Sequence, residues 1–459
     1  MTAELEQFVE GVKRILVDPK EIGQLVAENL VWAIIATAAF VLLPRLIHTS
    51  WRLAKARRLV DRQRDLSERI DHRLARTSYL WLEPPIDLLD PEHQRVSLSV
   101  SPETFKISPP ATSEGILEAT QIEGISSDDP RYALISENYR KRVAANEFSD
   151  RHRFVARESQ EFRAFGRLVK SPAFEDARRR VFCDFLRERE GFHFNGRKFA
   201  VERMMIGRDH HEQPTVVVDL QPTDYFTYSV LTRLAGAVIP AIADDWPAPG
   251  PHLSEYLARG IQRNIHASFG VCVVVHTIRD QRLIVTQRSA HSANRGGEVG
   301  KLFHSACEGV NEADLDSNVR TRFRPLRAIV ERALEEEVFG PQDGKPSVSS
   351  LIVSCKLAGL LLYFPHLSLN LSVYTALDCD SAEVRRRYRR ARDGGFETAG
   401  ILFDEALDER TGLPEASIDG IRDLVKRTLR ADPEQSWDEG ALVSLLLCSQ
   451  LLTRRGVPQ

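Results

Sequence analysis

The sequence has 459 residues, of which 42% are hydrophobic and 28% are charged, and its formal net charge is −3 at pH 7. This length is too great for one ordinary domain and indicates two or three. The composition is normal for a globular protein, and the nearly neutral charge excludes a partner that is selected by bulk charge alone.

An uncharged apolar segment near the N-terminus, Asn29–Pro44, is the first predicted element. We predict a transmembrane helix over residues 29–48, behind an N-terminal segment at residues 1–28, because a spanning helix needs about 20 mostly apolar residues. Basic residues crowd the C-terminal side of the run, and the positive-inside rule then places the large C-terminal portion in the cytoplasm. We therefore expect a single-pass protein of the cell membrane. The alternative is a long buried or interfacial helix.

The next two segments are predicted to connect this helix to the rest of the chain. Residues 49–82 alternate apolar and charged side chains, which predicts a juxtamembrane basic helix. Their basic cluster also favours anionic headgroups, so residues 29–58 are the predicted contact with membrane lipid. Residues 83–130 are rich in Pro, Ser, Thr and Asp, and this composition indicates a linker with at most short ordered pieces.

Residues 131–255 predict an α+β region whose fold the pattern does not identify, and which is either a separate domain or an extension packed on the segment that follows. Helical periodicity covers Ala133–Phe148 and Ala173–Arg189. The pair Asn195-Gly196 is typical of a tight hairpin turn, and Thr215–Leu220 predicts a further strand.

Residues 256–410 carry the clearest pattern, and residues 411–459 predict C-terminal helices. In residues 256–410, two β-branched strands, Gly270–Thr277 and Arg282–Gln287, are joined at Asp280-Gln281 and followed by a glycine-rich loop, Arg295–Gly300. The further predicted strands are Leu351–Val353, Leu357–Tyr363, Leu369–Leu377 and Thr398–Phe403. The predicted helices are Pro325–Val338 and the basic helix Ala382–Ala391. The leucine-rich helix Glu439–Leu452 is too short to span a membrane, so it is predicted to face the core or a partner.

This order of elements resembles that of the Nudix hydrolases over less than a third of the chain. The similar segments are Gln287-Arg288, the run Gly300–Phe303, the run Glu308–Glu312 and the helical run Arg332–Glu337. The resemblance implies an α/β fold, namely a Nudix-like α/β/α sandwich with a mixed sheet, here preceded by an α+β region and a single N-terminal transmembrane helix.

The chain departs from the family pattern at three places. Glu308 stands where the family has the first glycine of a pair, and Ala333 replaces the first glutamate of the helix. The stretch from Gly309 to Arg332 is also longer than in the family.

The resemblance implies hydrolysis of a nucleoside diphosphate derivative with Mg²⁺ or Mn²⁺ as the cofactor. Carboxylates at helix positions i, i+3 and i+4 share one face and offer the oxygen ligands that Mg²⁺ prefers. The candidate site residues are Glu336 and Glu337 for catalysis and metal binding, Glu312, Glu397 and Glu308 as further metal ligands, and Lys301, Arg288 and Arg332 for the substrate.

Three functions remain open on this sequence. The first is a membrane-anchored hydrolase, and the second is a catalytically inactive Nudix-like sensor that signals through the membrane helix. The third is an interaction scaffold. A nucleotide-type small molecule is the expected partner of the first two, and homo-oligomerisation is left open. We do not expect a nucleic-acid partner, because the arginines of Arg385–Arg390 would lie on all faces of a helix.

The six cysteines include no C-x-x-C pair, and the thirteen histidines show no spacing typical of zinc sites. Several cysteines stand inside apolar runs, for example Cys272. We therefore expect buried, reduced thiols in a cytosolic compartment.

Overall fold

The computed structural model describes eleven parts of the chain and three single residues, Gln7, Glu10 and Ser126. Within the eleven parts, it does not describe Glu103, Arg320 and Arg389. These parts are residues 77–90, 95–110, 128–144, 170–187, 195–234, 268–288, 301–340, 346–363, 367–391, 398–403 and 437–453. All their helices and strands lie in one compact unit, Ile70–Gln459.

The predicted transmembrane helix at residues 29–48 lies outside the described residues, and so do residues 411–436 of the predicted C-terminal helices. No helix in the described parts of the chain is both long enough and apolar enough to cross a membrane. The membrane helix therefore stays a prediction.

The described strands form one mixed sheet of eleven members. They are β1 (Thr77–Asp87), β2 (Val96–Val100), β3 (Arg197–Arg208), β4 (Pro214–Asp224), β5 (Ser268–Thr277), β6 (Arg282–Arg288), β7 (Leu302–Phe303), β8 (Ala306–Gly309), β9 (Ile352–Tyr363), β10 (Ser368–Leu377) and β11 (Thr398–Phe403).

Seven α-helices are described in the same parts of the chain. They are α1 (Pro130–Ala144), α2 (Pro172–Arg187), α3 (Tyr225–Arg233), α4 (Leu326–Glu337), α5 (Val348–Leu351), α6 (Ser381–Tyr388) and α7 (Glu439–Thr453). A 3-10 turn, Glu312–Asp314, precedes α4. The predicted mixed α/β class is confirmed.

Strand β5 is the branching point of the sheet. The main strand order is β1-β9-β10-β5-β3-β4-β2, and β5 also pairs with β6 and β8. One edge of β5 pairs in parallel with β10 along its whole length, whereas β3, β8 and β6 pair antiparallel with successive parts of the other edge.

The turn and helix signals located several elements well. The β5–β6 hairpin turns at Gln281, whose φ of 54° lies in the left-handed region. The predicted helix Pro325–Val338 corresponds to α4, and the bounds of β11 match the predicted strand. The two predicted strands between 351 and 363 are one continuous strand, β9.

The structure corrects two predicted segments before residue 131. The predicted juxtamembrane helix at residues 49–82 overlaps β1, and the predicted linker at residues 83–130 contains the end of β1 and all of β2. Pro84 and Pro85 indicate a linker in the sequence, because proline lacks the N–H that a strand needs for pairing. They stand at the irregularity between Trp81 and Ile86 in a strand at the end of the sheet order, where proline is tolerated.

The predicted boundary at residues 255/256 does not separate two sheets. Ala200 of β3 pairs with Ser268 of β5, and the Phe199 and Phe323 rings meet at a centroid distance of 4.9 Å. The residues just before Asn195 lie outside the described part of the chain, so the hairpin turn at Asn195-Gly196 stays a prediction. Asn195 Oδ1 accepts a hydrogen bond from Phe226 N at 2.8 Å, and strand β3 forms a long antiparallel pair with β4.

Helix α7 is predicted to face the core or a partner, and it lies in the core, where it packs against β9, β10, β5 and β1. Gly359 of β9 permits this contact, because an added Cβ would lie 2.9 Å from Leu447 Cδ2 and would also meet the Leu80 carbonyl oxygen. The absence of a side chain at this position therefore sets how closely α7 approaches the sheet.

We expect Gly359→Ala to lower the free energy of unfolding by about 1–3 kcal/mol, the usual cost of overpacking a close contact. Thermal unfolding followed by circular dichroism measures the effect. Gly207→Ala is the matched control, because the nearest atom to its new Cβ would be Thr215 Oγ1 at 3.4 Å. Equal losses in the two variants would contradict this explanation.

Candidate functional site

A pocket of about 120 Å³ opens where β5, β8 and β10 meet the N-terminal end of α7. Its lining includes Gly270, where an added Cβ would lie 2.7 Å from the Glu308 carbonyl oxygen and 2.8 Å from Asn370 Oδ1. Any side chain at this position would collide with the neighbouring strand. The pocket therefore depends on glycine at residue 270.

One part of the lining combines a cation with aromatic rings. Lys198 Nζ lies 5.1 Å from the ring centroid of Tyr228 and 5.2 Å from that of Tyr225, and Lys198 and Tyr228 both line the pocket. A lysine is a point charge that suits phosphate, and an aromatic ring offers a flat surface to a planar group. Sequence reasoning missed Lys198 because β3 lies outside the region that resembles the Nudix family.

Arg332 of α4 is the centre of an ionic cluster beside this pocket. Its Nε lies 2.7 Å from Asp314 Oδ1, and its Nη2 lies 2.8 Å from Asp314 Oδ2. Its Nη1 lies 2.6 Å from Glu336 Oε2 and 3.7 Å from Glu308 Oε1. Nη2 also donates a hydrogen bond to the carbonyl oxygen of Gly309 at 3.0 Å. One side chain thus connects α4, β8 and the 3-10 turn.

The charge of Arg332 is strongly stabilised. Burial disfavours the guanidinium, but its hydrogen bonds to Asp314 and the charges of Glu308, Asp314 and Glu336 together raise the pKa of Arg332 above its usual value. The cluster therefore contains a permanent cation.

Asp314 is a fully buried member of the cluster that sequence reasoning missed. It also accepts a hydrogen bond from Asn311 N at 3.0 Å, while Asn311 Oδ1 accepts one from Ala313 N at 2.8 Å. This capping box was visible in the sequence as an Asn three residues before an Asp.

The helix face predicted to hold metal is more buried than expected. Glu337 is 1% exposed, and its Oε1 accepts a hydrogen bond from Cys307 N at 3.0 Å. Ala333 is fully buried in the hydrophobic core beside Ile329 and Val330, while the side chain of Glu336 is 19% exposed. The face thus presents one partly exposed and one buried carboxylate.

The other predicted site residues are dispersed. Glu312 forms an ion pair with Arg197 of β3, and Lys301 directly precedes β7. Arg288 ends β6, where its backbone is paired with Thr398. Glu397 lies outside the described residues. Of the predicted carboxylates, the structure brings Glu308, Glu336 and Glu337 together, and of these Glu308 lines the pocket.

A second group of potential metal ligands lines the same pocket. Cys272, His304 and Cys307 each offer a ligand atom, and these atoms all lie within 4.8 Å of one another. Sequence spacing does not reveal this group because strand pairing places Cys272 opposite Cys307.

No protein-family model matches the sequence, and no curated protein matches it. The assignment of the site therefore depends on its geometry and chemistry.

We expect Asp314→Asn to lower the free energy of unfolding by about 3 kcal/mol, since removal of one partner from a buried ion pair is strongly destabilising. Chemical denaturation measures this loss. Glu137→Gln is the control, because Glu137 and Lys141 form an ion pair with side chains 60% and 71% exposed, and the stability should then change little. A stable Asp314→Asn variant would show that Arg332 does not need this partner.

Proposed function

We propose that the Nudix-like segment at residues 256–410, together with β3, α3 and the start of α7, forms a pocket that binds a nucleoside diphosphate derivative with Mg²⁺ or Mn²⁺. The observation that carries this proposal is the contact of Arg332 with Glu308 and Gly309. The resemblance implies such a brace between the helix and the segment before it. A membrane anchor at residues 29–48 would hold the domain at the cytoplasmic face of the cell membrane.

The positions of α4 and α7 support a three-layer α/β/α arrangement. Leu371 of β10 belongs to the hydrophobic cluster that includes Val330 of α4. The adjacent Ser372 instead donates a hydrogen bond to the carbonyl oxygen of Ser444 in α7 at 3.4 Å. Because successive strand residues point to opposite faces, the two helices pack on opposite faces of the sheet.

The carboxylates are compatible with a magnesium ion that keeps several waters. Glu308 and Glu336 are partly exposed, and protein sites often hold Mg²⁺ through one or two carboxylates plus the phosphates of the substrate. Three carboxylates, those of Glu308, Asp314 and Glu336, surround Arg332, and Arg324 lies 3.9 Å from Asp314. When bound, the ion would offset this excess of acidic groups and neutralise the diphosphate.

The protein side chains have separate roles in this proposal. Arg332 fixes the position of Glu336 and of the Glu308–Gly309 segment. Lys198 meets a phosphate oxygen, and Tyr228 provides the surface for a planar base.

Binding without hydrolysis is the function that the helix favours. The third carboxylate of the family face is replaced by Ala333, which packs in the core with Ile329 and Val330. A glutamate at that position would have to enter the core, at a high cost in desolvation. We therefore place the sensor role first and hydrolysis second.

The full-length chain in detergent should bind one or more members of a panel of nucleoside diphosphate derivatives in the presence of Mg²⁺. Isothermal titration calorimetry measures the Kd. Glu336→Gln should raise it about tenfold or more, which corresponds to the loss of about 1.4 kcal/mol. Glu335→Gln is the matched control, because this neighbouring side chain is exposed. No binding by the panel, or equal weakening in both variants, would refute the proposal.

Chromatography of the same mixtures separates the sensor from the hydrolase. The sensor predicts binding with no product. Turnover that is lost in both Glu336→Gln and Glu337→Gln would establish hydrolysis instead. The second substitution is informative because a glutamine oxygen can still accept the hydrogen bond from Cys307 N.

A further inference from the structure

Two cysteines face each other across the central strand pair. Cys272 of β5 is directly opposite Cys307 of β8 in the antiparallel register, and their Sγ atoms are 3.2 Å apart. An imidazole nitrogen of His304 lies within 4.8 Å of both sulfur atoms. Two sulfurs and one nitrogen thus converge on one point in the lining of the pocket.

Of the two ring nitrogens of His304, one has a hydrogen-bond partner among the described residues and the other has none. The residue is 5% exposed, and its Nε2 is hydrogen-bonded to Ser444 Oγ at 3.0 Å. Its Nδ1 is buried and has no hydrogen-bond partner in the described structure. Burial of a polar atom without a partner is costly, so this nitrogen has a reason to take a ligand.

We propose that Cys272, Cys307 and His304 bind one zinc ion. Thiolate and imidazole are the ligands that Zn²⁺ prefers in proteins, and a site with three protein ligands leaves the fourth tetrahedral position open. All three ligand residues line the pocket, and so does Asp438. The hydrogen bond between Ser444 and Nε2 would orient the imidazole so that Nδ1 meets the metal.

Metal binding would release the two thiol protons. Zn²⁺ would displace one proton from each cysteine, and the two thiolate charges would then offset those of the ion. The buried site would thereby become neutral without a further counter-ion.

The distance between the sulfur atoms fits a metal site better than a disulfide. Zn–S bonds of about 2.3 Å in a tetrahedral site separate two sulfurs by roughly 3.8 Å. A disulfide requires a separation of about 2.05 Å. From 3.2 Å the first arrangement needs the smaller movement, and it also uses the otherwise unsatisfied Nδ1 of His304.

The ligands of this site differ from those of the proposed nucleotide function, although both are placed at the same pocket. Its ligands are sulfur and nitrogen, whereas the carboxylates around Arg332 offer only oxygen. Cys307 and Glu308 are consecutive in β8, so their side chains point to opposite faces of the sheet. Zinc binding can therefore be tested without a nucleotide.

The test uses the full-length chain, purified with a reducing agent, stripped with a chelator and titrated with Zn²⁺ against a chromophoric competitor. We expect one ion per chain. Cys307→Ser should raise the Kd by at least about a hundredfold, because even the outer partners of a ligand are worth about 10–100-fold. Cys355→Ser is the control, since Cys355 is a free cysteine buried in β9 outside the proposed site, and its substitution should leave the Kd unchanged.

A second measurement on the unaltered chain protects the test against a variant that does not fold. Co²⁺ in place of Zn²⁺ should produce a thiolate-to-metal absorption band and the visible bands of a tetrahedral site. Absence of the thiolate band with Co²⁺ in excess would overturn the proposal. Zinc retention that is equal in Cys307→Ser and Cys355→Ser would also overturn it, as would a disulfide between Cys272 and Cys307 in a chain that takes up no metal.

Discussion

The position of the pocket follows from how strand β5 shares its hydrogen-bonding edges. One edge is occupied by β10 from Ser268 to Thr277, and three strands divide the other. A strand edge offers each backbone group only once, so β3, β8 and β6 must follow one another along it. The pocket lies where β3 gives way to β8, and Gly270 stands at that point.

The same geometry separates two kinds of ligand chemistry. The face that packs against α4 carries oxygen ligands held by Arg332, whereas the face that packs against α7 carries sulfur and nitrogen. Hard cations such as Mg²⁺ prefer the first set, and Zn²⁺ prefers the second. A strand of only four residues, β8, separates the two proposed sites.

Local signals in the sequence predicted individual helices and strands, but they did not predict which strands pair with one another. Periodicity and turn residues located α4, β5 and β6, and helical spacing predicted that Glu336 and Glu337 share one face of α4. The burial of Glu337 and Ala333 depends on how α4 is rotated against the sheet, which the helix alone does not determine. Lys198 and Cys272 reach the pocket through pairing with distant strands, and one sequence contains no signal for that register.

Helix α7 is synthesised after every described strand, although it closes a pocket formed by strands made much earlier. Asp438 and Gly440 reach the pocket, and Ser444 reaches His304, only when this helix docks. Local detachment of α7 would open the pocket to solvent, and a ligand that binds only the docked form must favour docking. By mass action, such a ligand at about 100 times its Kd would stabilise the docked helix by about 2.7 kcal/mol. Ligand binding in the pocket and docking of α7 are therefore thermodynamically coupled.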